Sequence, residues 1–337
     1  MTNRTYLGNL LHYLAVASAL AGGAFVINNF LTYIFDLPGL YGFLNQFGAG
    51  FDFPERDYSA FALIIGFVQS LMYVAALLWP AYVISRLNDQ RRESSSMNMV
   101  AGLVISAAFW SVMLVGIADA AISFVRIENM LPGIVGDELA LSLGKPAFRG
   151  VYVHIPLMIA GTIIALFRRG IDFIWLASLI VFGELLIVIT RFIFSYEQAF
   201  MGDLVRFWYA ALFLFASAYT LVNDGHVRVD VIYAGFSERM KSVINVYGSL
   251  ILGLPLCWVI LSRGLWSESS PFNLALLNFE VTQQGFGMYV KYLMSGFLVV
   301  FAVSMLFQFA SFMLDELNKI EQADNDAETG QSAQKAN

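Results

Sequence analysis

The sequence predicts an all-α integral membrane protein with about eight transmembrane helices and both termini on the cytoplasmic side. Three observations carry that prediction. Charged residues make up 13% of the 337, about half the roughly 25% of a soluble domain, and the mean hydropathy is +0.68. Several apolar runs reach about 20 residues without interruption, enough to cross a bilayer as a helix. Arginine and lysine gather in alternate short loops, the pattern that marks the cytoplasmic face. A β-barrel would show short stretches of alternating hydropathy instead, and none occur.

The runs follow in order. The first, residues 7–35, comes after Arg4. Its Ala17-Ser18-Ala19 and Ala19-Leu20-Ala21 fit a cleavage-site pattern, but the apolar run continues past both, so an uncleaved helix is expected. Residues 36–58 form an acidic, Gly-rich connection whose aromatics suit a membrane interface. The second run, 58–84, carries Pro80. Ser94-Ser95-Ser96 leads into the third, 99–125. A mixed-charge connection, 127–149, precedes the fourth run, 151–167, with Pro156 in its first turns, where proline is tolerated. Asp172 is an expected N-cap for the fifth run, 173–195. Glu197 and Asp203 are placed in the short turn before the sixth, 204–222. Ser237 is expected to cap the helix carrying the seventh run, 243–261, with Pro255 inside it. The eighth is 288–314. The acidic segment 315–337 has few apolar residues and is expected to be disordered.

Arg86, Arg91 and Arg92, then Arg168 and Arg169, then Arg228, Arg239 and Lys241 cluster in three short loops, which are thereby assigned to the cytoplasm. The net charge of −6 removes a basic nucleic-acid footprint. Cys257 stands alone in an apolar run, a small buried hydrophobe. No Walker loop, nucleophile elbow or His-Glu-x-x-His is present, and no enzyme is expected.

Ionisable groups at membrane depth cost about 2.5–3.5 kcal/mol each to insert and need a reason to be there. Asp119 lies in the third run and Glu184 in the fifth, and each has an arginine seven positions on, Arg126 and Arg191. Seven residues place both on one face about 10.5 Å apart, too far for direct pairing within one helix. Either they pair with neighbouring helices and fix packing, the favoured reading, or they form a polar seam for a partner or an ion path. His12 and His154 also fall in apolar runs, which makes a bis-imidazole haem conceivable.

Between the sixth and seventh runs stands Asn223-Asp224-Gly225-His226-Val227-Arg228-Val229-Asp230. A second helix that ends in Gly-His-Val-Arg-Val-Asp, followed by a polar stretch and a third helix, resembles the small membrane subunit (DctQ type) of TRAP transporters, the tripartite ATP-independent periplasmic carriers. Arg191-Phe192-Ile193-Phe194 is similar to the arginine and aromatic segment that ends the family's first helix, and Leu254-Pro255 fits its third. Asp203 keeps one acid of the Trp-x-Glu-Glu-like element, whose tryptophan is absent here. The resemblance spans 171–314, leaving 1–170 as a four-helix extension it does not explain and 315–337 as a tail.

The resemblance implies a non-catalytic scaffold in the bacterial cytoplasmic (inner) membrane. It would pack against a large DctM-type permease subunit, with membrane lipids around it, in sodium-coupled uptake of an organic acid delivered by an extracytoplasmic solute-binding protein. Sodium is expected in the large subunit, and no cofactor in this chain. Arg191, Asp203, Gly225, His226, Val227, Arg228 and Asp230 become the expected partner-interface residues. Two rivals remain: an autonomous ion-coupled carrier using Asp119 and Glu184, and a haem or quinone anchor of a redox enzyme.

Overall fold

A computed structural model of the chain describes residues 6–51, 56–86, 90–168, 173–196, 199–222, 232–281 and 287–335. Among these residues every ordered element is helical. Eight helices are long and apolar enough to cross a membrane: Tyr6–Ile34, Ala60–Ser85, Gln90–Ile127, Pro146–Phe167, Ile174–Phe194, Phe200–Ala218, Glu238–Leu265 and Lys291–Asp324. The protein is an all-α, multi-pass membrane protein, as its hydropathy predicts.

The chain forms two compact units. The first comprises 1–101, 221–266 and 305–337, the second 102–220 and 267–304. The boundary expected at 170/171 falls inside the second.

In the first unit, α1 (Tyr6–Ile34) packs on α3 (Ala60–Arg86), with the short α2 (Gly39–Asn45) between their ends. Amides at membrane depth hold that corner. Asn28 Oδ1 accepts from Leu40 N at 3.1 Å, and Gln69 Oε1 accepts from Gly39 N at 3.1 Å. Gly39 has φ +64° and a Cβ there would collide with Thr32 Oγ1; only glycine satisfies both conditions without strain. The helix α4 (Gln90–Ile127) begins well before the expected 99. One face of these added turns, with Gln90, Ser94 and Met97, is buried: Ser94 and Ser311 share hydrogen bonds, and Glu93 pairs with His12. The Ser94–Ser96 triplet lies within the helix and is not a lead-in: Ser94 bonds Ser311 across a helix pair, and Ser96 bonds Arg92 O one turn back.

The helix α11 (Glu238–Gly248) starts at Ser237, whose side chain accepts from Met240 N at 3.3 Å, as expected of an N-cap. A π-turn, Ser249–Gly253, joins it to α12 (Leu254–Leu265), where Pro255 occupies the first turn. Proline cannot donate to the residue four back; widening the turn that precedes it keeps the ladder going, with Leu254 N reaching Ser249 O. The last helix, α14 (Lys291–Lys335), does not stop at 314. The tail expected to be disordered is helical to Lys335: a helix already nucleated adds each further residue at little cost, and Ala, Glu, Gln and Lys are good helix formers.

The second unit contains the remainder of α4 and three short helices, α5 (Leu131–Val135), α6 (Asp137–Leu143) and α7 (Pro146–Arg149), where a plain connection was expected. A second π-turn, Gly150–His154, leads into α8 (Ile155–Phe167). The fourth span thus begins at Pro146, and Pro156 lies just beyond the π-turn rather than at the start of the span. Next come α9 (Phe173–Phe194), α10 (Ala199–Val222) and α13 (Pro271–Leu277). Asp172 and Glu197 lie outside the described residues. Asp203 lies within α10, not in the turn before it. The core gathers Phe207, Phe215 and Phe297, whose ring centroids lie 5.1 and 5.2 Å apart. α8 approaches α4 through Gly161, where a Cβ would stand 2.6 Å from Ser111 N.

Candidate functional site

Asp119, in α4, has no exposed side-chain surface, nor does Arg149 at the end of α7. Their charged atoms meet at 2.8 Å. The second carboxylate oxygen accepts from Tyr289 N at 2.8 Å, and His154 Nε2 lies 3.1 Å from the first. The remaining Arg149 donors go to Ser123 Oγ at 3.0 Å and to Leu143 O at 2.9 and 3.0 Å. His154 Nδ1 lies 2.8 Å from Tyr292 OH, so both imidazole nitrogens are engaged. Asp119 faces the Arg149 guanidinium and both of its carboxylate oxygens have hydrogen-bond partners, the condition under which a buried ion pair is tolerated.

Local structure sets this up. The π-turn shifts the helix register between Arg149 and His154, and both side chains reach Asp119 although five residues separate them. Phe279 has φ +45°, and its ring covers Gly150 and meets Tyr292 at 5.2 Å. A non-glycine residue in that region costs about 1–3 kcal/mol unless its surroundings hold it; here two aromatic and glycine contacts do.

A non-helical strap, residues 287–290, crosses the site with Met288, Tyr289 and Val290 buried. Backbone amides buried in this way must find acceptors. Tyr289 N uses Asp119, and Met288 N uses Asp203 Oδ2 at 3.2 Å. The Tyr289 ring lies beneath two guanidinium groups, Arg149 at 4.2 Å and Arg126 at 4.7 Å, and its hydroxyl donates to Gly144 O at 2.9 Å. Arg126 also bonds the Tyr289 hydroxyl and Gly287 O. Two carboxylates and Arg126 thus bond one stretch of backbone, and Arg149 lies over the Tyr289 ring.

The expected site residues fall as follows. Asp119 pairs with Arg149, His154 and the strap, from other segments as favoured, and Arg126 bonds the strap. Asp203, expected at a partner interface, spends its carboxylate inside the chain on Met288 N and, at 3.6 Å, on Arg206. Glu184 is exposed, midway along α9, with no ion pair or hydrogen bond among the described residues. Arg191 is exposed near the end of α9. Gly225, His226, Val227, Arg228 and Asp230 lie outside the described residues. Arg149, His154, Tyr289 and Tyr292 were not singled out as a cluster by the sequence. The one signal was two ionisable groups, Arg149 and His154, on either side of the start of an apolar run.

No group of three or more His, Cys, Asp or Glu side chains able to hold a metal ion occurs among the described residues. The arrangement fixes backbone and helices; the shared charges have no open side from which a solute could reach them.

Compared with known proteins, residues 180–318 match the family described as tripartite ATP-independent periplasmic transporters, DctQ component. No curated protein and no solved structure matches the chain. The matched residues hold most of α9, then α10, the two segments joined by the π-turn at Ser249–Gly253, and the strap with the start of α14, in the order the resemblance requires. Over residues 180–318 the chain is similar to the DctQ component of the tripartite ATP-independent periplasmic transporters.

Proposed function

We propose that the chain is the small permease subunit of such a transporter, a non-catalytic scaffold in the inner membrane for a large permease subunit. The observation that carries the reading is that the Asp119 carboxylate is fully consumed by Arg149, His154 and Tyr289 N, with Arg149 unexposed, inside a chain whose residues 180–318 match the DctQ component. An ion-coupled carrier needs an acid that can release and take up its ion; a carboxylate locked by three donors holds helices instead. Sodium coupling, an organic acid substrate and delivery by an extracytoplasmic binding protein then belong to the partners.

Reconstitution in vesicles tests this. The chain alone, with a sodium gradient imposed, is expected to give no solute uptake. Uptake is expected only when the large subunit and the binding protein are added. Sodium-driven uptake by the chain alone would overturn the reading and return weight to the autonomous carrier.

A further inference from the structure

Glu184 lies midway along a membrane-crossing helix with no ion pair or hydrogen bond among the described residues. The helix α9 runs from Phe173 to Phe194, so Glu184 lies about 15 Å from either end at about 1.5 Å per residue, at the depth of a bilayer midplane. Its neighbour Gly183 faces the other way, against Val205 of α10, and Leu176 on that same side is buried. The opposite side is open. Only 11% of the span is buried, the smallest share among the eight spans of the described residues.

The open side has a pattern. Ile174, Ser178, Val181, Leu185, Val188 and Phe192 are all exposed and follow one another at spacings of 4, 3, 4, 3 and 4. That is the a/d seam of a left-handed helix pair, and Glu184 falls at the flanking g position, where interhelical charge pairs form. Lipid alone would cover the apolar seam but would leave a carboxylate in hydrocarbon with nothing to bond.

We infer that this face of α9 docks a transmembrane helix of the large permease subunit, which presents a lysine, arginine or other hydrogen-bond donor to Glu184. The inference rests on the scaffold reading above. A second copy of this chain does not fit. Copies insert in the same orientation and pair in parallel, and in a parallel pair a g position faces the partner's e position. Here that is Phe182 or Ile189, neither of which donates.

The test uses the full-length tagged chain, extracted gently from native membranes together with the large subunit. Glu184→Leu removes a charge from an exposed helix face and should leave monodisperse elution unchanged. It is expected to lower recovery of the large subunit by about tenfold or more, as loss of one side of a desolvated charge pair does. Glu184→Gln, which keeps a hydrogen-bonding group, is expected to fall between. A photo-activatable side chain placed at Val188 is expected to cross-link to the large subunit. Unchanged recovery in Glu184→Leu, or cross-links from position 188 to a second copy or to lipid only, overturns the docking face while wild-type recovery of the large subunit keeps the scaffold reading. Absence of the large subunit from the wild-type preparation overturns both.

Discussion

The guanidinium of Arg149 and the carboxylate of Asp119 meet at 2.8 Å with neither side chain exposed. Removing one member of such a pair strands the other charge, at a cost of about 3–5 kcal/mol. Asp119→Leu and Arg149→Met are each expected to lower the thermal midpoint in detergent sharply. The double variant Asp119→Leu with Arg149→Met should recover part of the loss, because no orphan charge remains. Two single losses that simply add in the double variant would show that the pair is not a unit.

His154 links the pair to α14 by bonding both Asp119 and Tyr292. His154→Phe leaves a buried carboxylate one contact short and a hydroxyl unpaired, and is expected to cost about 1–3 kcal/mol. Tyr292→Phe removes only the second contact and should cost about 1 kcal/mol. Thermal midpoints ranked in the opposite order would contradict the network.

Asp203 holds the strap through Met288 N. Asp203→Ala is expected to release that amide at about 1–2 kcal/mol and to speed proteolytic cleavage near residue 288, whereas Asp203→Asn, still an acceptor, should cleave more slowly. Equal cleavage rates in wild type and Asp203→Ala would show that the strap is held by other contacts.

Gly161 brings α8 onto the backbone of α4 at Ser111. Gly161→Ala requires the helices to separate, an overpacking cost of about 1–3 kcal/mol. A substitution at the equally helical Gly102, where a Cβ meets nothing within 4 Å, should be neutral or better. The two thermal midpoints decide it.

How much of this was legible in the sequence follows from what each signal measures. Hydropathy reports burial in lipid, and so all eight spans could be read from runs of apolar residues. It is blind to polar residues buried against protein, and the start of α4 was missed because Glu93 and Ser94 satisfy themselves on His12 and Ser311, far away in the chain. The fourth span was begun late for a related reason: a π-turn carries the helix past Pro156, and no propensity rule anticipates it. Asp119 could be singled out as costly, but its partners Arg149, His154 and Tyr289 are 30, 35 and 170 residues away, and no spacing rule spans such distances. Glu184 was equally visible, and its lack of a partner among the described residues is what gives it meaning. The Gly225–Asp230 block carried the family resemblance, while the contacts that define the site come from Asp119, Arg149, His154 and the strap.

The scaffold claim is tested most directly by tagging the chain at its C-terminus, solubilising native membranes gently and identifying what remains bound. The account predicts a second, larger multi-helix membrane protein recovered in equal amount. Recovery of this chain alone, in several mild detergents and with a sharp elution profile, would contradict it.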